Sequence, residues 1–146
     1  ANSGLLARKI THNRRILCAS PDYLRLHSPI KDVQMLSEHR FVCLPWQKQL
    51  KLLHNDGNVF TFNANTRFTI SNSDNMTQAL QAGHGIGIKS ELAIKRCLAS
   101  GALVEVLPNV LAAPEAPVWF LRPQNSLATR KAEAFFDFVK QAFNDN

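Results

Sequence analysis

The stretch from Ser71 to Ile88 leaves the backbone few choices. Ser71-Asn72-Ser73-Asp74-Asn75 is a cluster of short polar residues whose side-chain oxygens can accept the unpaired N–H groups of a first helical turn. Residues 76–82 follow as helix, and Gly83 ends it, because glycine adopts the left-handed conformation of a helix stop without steric cost. Residues 67–70 before this segment and Gly85-Ile86-Gly87-Ile88 after it read as strands. A strand, a helix with both ends marked and a second strand in so short a stretch pack as helix on sheet, so the expected class is α/β.

The remainder repeats the alternation. Ile16-Leu17-Cys18-Ala19 is a short apolar run suited to a buried strand. Ser20-Pro21-Asp22 then opens a helix: Ser20 can cap it, and Pro21 suits the first helical position, where no N–H is needed. A second short helix is expected over 32–38. Residues 41–44, 50–54 and 58–62 have strand character, with Asp56-Gly57 as the hairpin turn between the last two. Beyond Ile88 the pattern predicts a helix over 90–99 stopped by Gly101, strands at 103–107 and 117–121, and a long helix over 127–143. That last helix carries Ala132, Phe135, Phe136, Val139 and Phe143 on one face, which needs a partner to cover it. Residues 1–14 show little periodicity.

Composition narrows the function. Of 146 residues, 45% are hydrophobic and 19% charged, the balance of a globular domain with a real core. No run approaches the roughly 18 to 20 apolar residues that span a bilayer, so no membrane partner is expected. The net charge of +6 favours anionic partners, but the basic residues are spread thinly and form no nucleic-acid-reading module. Cys18, Cys43 and Cys97 are odd in number, lack a CxxC spacing and sit among apolar neighbours; they read as buried free thiols in a reducing compartment, the cytoplasm. His39 and Cys43 are four apart, but a helix-to-strand change expected between them argues against metal ligation.

Catalytic patterns are not evident. Gly83-His84-Gly85-Ile86-Gly87 invites a dinucleotide reading, yet a phosphate-cradling glycine loop lies after a strand and before a helix, and here the order is reversed. The glycines fit helix termination and close packing instead. No serine sits in a nucleophile elbow, and the carboxylates are scattered, so neither an enzyme nor a cofactor is expected. The helix starts are more telling. A first helical turn presents free N–H donors and the positive end of the macrodipole, and ligands of open α/β sheets bind beyond the carboxyl ends of strands. Ser20 and Ser73-Asp74-Asn75 both follow expected strands; each residue suits a plain cap or a ligand contact. Trp46 suits the core or the rim of a cleft.

The order of motifs resembles the LysR-type transcriptional regulators. Arg14-Arg15-Ile16-Leu17-Cys18-Ala19-Ser20-Pro21-Asp22-Tyr23-Leu24 is similar to that family's RRVLCASPxYL segment. Phe41-Val42-Cys43-Leu44 with Trp46 resembles its H-x-CL…W strand, residues 71–87 its NDSDALRxAALAGxGIA segment, residues 101–107 its GxLVxVLP, and Phe135-Phe136-Asp137-Phe138 its closing RAFIDFL. The resemblance implies a periplasmic-binding-protein-like type II lobe, a mixed sheet flanked by helices, with a C-terminal helix returning to the first subdomain. Residues 1–15 would end subdomain one, 16–121 form subdomain two and 122–146 return. Gly4-Leu5-Leu6-Ala7-Arg8 looks like the GLVARRL stretch that closes the first half of subdomain one, so the earlier part of that subdomain and the helix-turn-helix domain are expected to lie outside these residues.

The resemblance further implies a small, anionic inducer in a cleft between subdomains. Its binding biases an oligomer that contacts DNA through the helix-turn-helix domain. Carried over by position, Ser20, Ser73, Asp74, Asn75 and Gln78 are the expected ligand contacts. Lys89 departs from the family pattern, which has an apolar residue or proline there; it suits either a cation for an acidic inducer or a solvated charge. A solute-binding lobe of the same architecture is the main alternative, and a small enzyme or a direct nucleic-acid binder are others.

Overall fold

The computed structural model describes residues 5–123 and 129–145. In chain order the elements are β1 (Leu5–Thr11), β2 (Arg15–Ala19), α1 (Pro21–Leu26), a 3-10 turn (Val33–Glu38), β3 (Phe41–Cys43), a 3-10 turn (Pro45–Gln47), β4 (Gln49–Leu53), β5 (Val59–Asn63), β6 (Thr66–Thr69), α2 (Ser73–Gln81), β7 (Gly87–Ser90), α3 (Lys95–Ser100), β8 (Val104–Glu105), β9 (Val118–Pro123) and α4 (Thr129–Asp145). They fall into two compact units, Arg15–Pro114 and the pair Ala1–Arg14 with Glu115–Asn146.

In the larger unit β2 lies between β7 and β8, antiparallel to both. β3 pairs with β6 in parallel, and an isolated parallel bridge from Phe41 to Ile86 links β3 to the chain entering β7. The result is a mixed arrangement of strands in which β2, β3 and β7 are buried on both faces. Successive side chains of a strand point to opposite faces, and β2 follows that rule. Leu17 and Ala19 pack with Tyr23, Leu36, Leu50, Leu52 and Val106, whereas Ile16 and Cys18 pack with Met76, Leu80, Ile94 and Leu103. This explains the unbroken apolar run in the sequence. Fully burying each Leu or Ile contributes about 1.5 to 3 kcal/mol. The β4–β5 hairpin turns at Asp56-Gly57 as expected, with Leu52 paired to Phe60.

The glycine run serves packing. A Cβ on Gly87 would come within 2.7 Å of Met76 Cε and 3.0 Å of Leu80 Cδ2, so the missing side chain is what lets α2 lie on β7. At Gly85, with φ +154, a Cβ would meet the Arg40 carbonyl oxygen at 2.5 Å.

Several expectations shift. The helix expected over 32–38 is a 3-10 turn, capped by Asp32, whose carboxylate accepts from the Gln34 and Met35 N–H groups. The helix expected over 90–99 shrinks to α3 because Ser90 Oγ accepts from Ala93 N and holds a turn ahead of it. Residues 5–11, which lack clear periodicity, form a strand; its register slips between Lys9 and Thr11, and such a slip breaks simple alternation. β9 pairs with β1, and the larger compact unit ends at Pro114.

In the smaller unit α4 packs on β1. The Arg8 guanidinium sits 3.9 Å from the centre of the buried Phe136 ring and pairs with Glu133. Of the apolar face expected on this helix, Phe136 is covered in this way, whereas Phe135 remains exposed.

Candidate functional site

Beyond the carboxyl ends of β3, β6 and β7, the larger unit carries two adjoining open depressions, of 340 and 110 Å³. The larger is at the low end of small-molecule pocket volumes, about 300 to 1,000 Å³. Arg15, Gln47 and Ile88 line both. Trp46, Lys51 and Leu111 belong to the larger one; Ser73, Lys89 and Ser90 belong to the smaller. The combined lining holds three cations, Arg15, Lys51 and Lys89, and no carboxylate.

Sheet register brings these groups together. Arg15 opens β2 opposite Ser90, and Ile16 is opposite Lys89. Because Gly87 and Lys89 are two apart on β7, they share the face on which α2 lies. Gly87 makes room for the middle of α2, and Lys89 reaches its first residue. The Lys89 ammonium donates to the Ser73 carbonyl oxygen at 2.9 Å and to Ser73 Oγ. Lys89 is 4% exposed, so it is not a solvated charge. Burial draws its pKa down, opposed by Cys18 and by the exposed Asp74 on the first turn of α2.

Of the five expected contact residues, Ser73 is the one that lines either of these two depressions. Asp74 acts on it through Lys89. Asn75 donates its N–H to Asn72 Oδ1, which makes Asn72 the cap of α2, and Gln78 is exposed one turn further along. Ser20 lies elsewhere. It is 3% exposed, accepts from Tyr23 N at 3.1 Å as the cap of α1, and sits beside Gly83, just past the far end of α2. Ser20 and Ser73 thus stand near opposite ends of α2. β2 runs antiparallel to β7, so its carboxyl end, where Ser20 stands, is at the opposite edge of the sheet from Ser73.

Arg15, Gln47 and Ser90 were not singled out as ligand contacts in the sequence. Arg15 stood inside a recognised motif, and Lys89 stood out as a departure from one; Gln47 and Ser90 carried no local signal. Trp46 is 74% exposed and stands at the rim of the larger depression, not in the core.

Away from this face, Tyr23 stacks on His27, and its hydroxyl accepts from the Arg40 N–H and shares a hydrogen bond of 2.8 Å with His39 Nδ1. Burial lowers the His39 pKa, and His27 lowers it further. Burial pushes the Cys18 thiol up to about 12 and the Cys43 thiol to about 11; all three cysteines are free. Among the described residues no group of three or more metal-ligating side chains converges, and no helix is long and apolar enough to cross a membrane.

The family described as LysR substrate binding domain matches residues 1–144. The chain belongs to this family. Among its relatives, the HTH-type transcriptional regulator DmlR of Escherichia coli K12 is 28% identical over 97% of this chain and 47% of its own length. The HTH-type transcriptional activator TtdR of the same strain is 28% identical over 92% of this chain and 44% of its own. The chain thus spans about half the length of the curated relatives it matches. Among solved structures, the regulatory domain of AphB in Vibrio vulnificus superposes with a TM-score of 0.78 at 28% identity, covering 95% of this chain and 70% of that one. The CrgA regulatory domain from Neisseria meningitidis shares the fold, with a TM-score of 0.79 at 22% identity over 97% and 70% of the two chains. This LysR regulatory domain therefore has the periplasmic-binding-protein-like α/β fold that its motifs implied.

Proposed function

We propose that this LysR domain is the effector-sensing part of a bacterial transcription regulator. On this reading a small anionic inducer binds where β2, β7 and α2 meet, on the second subdomain's side of an effector cleft. The observation that carries it is the lining of the two depressions, three cations without a carboxylate beside the start of α2. Ser73 is the contact residue, with Asp74, Asn75 and Gln78 shaping the helix that presents it. The naming of DmlR and TtdR as regulators favours gene control over catalysis, and it lends nothing to a solute-binding lobe. Inducer occupancy would bias an oligomer whose helix-turn-helix domains hold DNA. The proposed compartment is the cytoplasm, where free thiols stay reduced.

The test is a thermal-shift screen of organic acids, amino acids and aromatic carboxylates on the protein expressed from its complete gene, with Arg15→Ala and Ser73→Ala beside it. A stabilising acid whose effect is lost in Arg15→Ala, and which changes affinity for operator DNA, supports the reading. An acid that binds both variants like the parent protein would sink the site assignment.

A further inference from the structure

Lys89 poses a physical problem that the fold alone does not solve. Lysine is almost never this deeply buried unless paired with an opposite charge. Among the described residues Lys89 forms no ion pair, and Asp74, the carboxylate that acts on it, is exposed on the first turn of α2. Its hydrogen-bond partners are the neutral carbonyl and hydroxyl of Ser73. An ammonium has three donors; Ser73 takes two, and Lys89 lines the smaller depression.

The second charge there is Arg15, whose guanidinium makes no ion pair or side-chain hydrogen bond among the described residues. Two like charges thus line a depression of 110 Å³ with no counter-charge in its lining. An apolar replacement at 89 would remove the cost of burying an unpaired cation, so a lysine there lowers the stability of the empty protein for some other return.

Resting on the effector-binding reading above, we propose that Lys89 is the specificity-determining residue of this site. With Arg15 it selects a free carboxylate on a small organic acid. Through its bonds to Ser73 it couples that carboxylate to the start of α2. The acid's head group occupies the smaller depression. Its body extends past Gln47 into the larger one, against Trp46 and Leu111. Neutral amides of the same shape are rejected, because they leave the desolvated Lys89 ammonium without a counter-charge.

The experiment compares benzoate with benzamide and succinate with succinamide by thermal shift at constant ionic strength. It uses the protein from its complete gene and its Lys89→Met and Arg15→Ala variants. The expected result is that an acid stabilises the parent protein and its amide does not. Lys89→Met should fold with a Tm at or above the parent's, and its half-saturating acid concentration should rise at least tenfold. A merely structural lysine gives the reverse, a lowered Tm with the acid response intact within twofold, and that result overturns the proposal. If Arg15→Ala alone abolishes the response, the effector site stands and the role of Lys89 falls. If neither acid stabilises the parent protein, the anion-binding reading and this one fall together.

Discussion

At the residue scale, His39 is a case where burial sets protonation. Its folded-state pKa is held below the ordinary 6.5, first by desolvation and then by His27. The neutral ring is favoured in the fold, so the protein keeps this contribution above pH 6.5 and loses it as pH falls through the folded value. Urea unfolding followed from pH 8 to 5 should show declining stability below about 6.5, and His39→Gln should flatten that decline. Glycines separate by what a side chain would hit. Gly85→Ala should cost on the order of 2 to 4 kcal/mol, because the Arg40 carbonyl is backbone and φ is +154. Gly87→Ala should cost less, about 1 to 3 kcal/mol, since Met76 Cε and Leu80 Cδ2 end flexible side chains that can move. Chemical denaturation of both variants checks the order.

At the element scale, α1 and α2 start alike, with a polar side chain accepting from the third residue on: Ser20 from Tyr23 N, Asn72 from Asn75 N. Removing either cap should destabilise by about 1 kcal/mol. Function should tell them apart. Ser20→Ala should leave the response to a stabilising acid unchanged, whereas Asn72→Ala should weaken it, because α2 presents Ser73 to Lys89. A titration of each variant with the acid found in the screen measures the difference; a weakened response in Ser20→Ala would contradict the strand polarity argued above. These two helix starts were equally legible in the sequence. Capping is a local property, and nothing local says to which edge of a sheet a strand delivers its turn.

At the scale of the whole molecule, each unit can be taken by itself. The larger one buries two cores on the faces of a mixed sheet. The smaller one covers one side of α4 through Phe136 but leaves Phe135 and Phe138 exposed, the latter at 71%, with Trp119 and Leu121 exposed on β9. Apolar patches of this kind mark interaction surfaces or drive association. The 146-residue chain on its own should therefore sediment as concentration-dependent oligomers, and Phe138→Glu should shift it toward monomer. Unchanged sedimentation would show that the aromatic face of α4 plays no part.

The amino-acid sequence by itself determined what depends on neighbours along the chain: the α/β alternation, the cap at Ser20, the stop at Gly83, the Asp56-Gly57 hairpin, and the motif order that marks a LysR domain. Tertiary structure decided what depends on strand direction and register. Antiparallel pairing of β2 with β7 sent Ser20 to one edge of the sheet and left Arg15 at the other. The two-residue period of β7 turned Lys89 inward beneath α2, beside Ser73. Pairing of β9 with β1 placed β9 in the smaller unit. Each outcome rests on hydrogen bonds between residues far apart in the chain, and no window of sequence contains both partners.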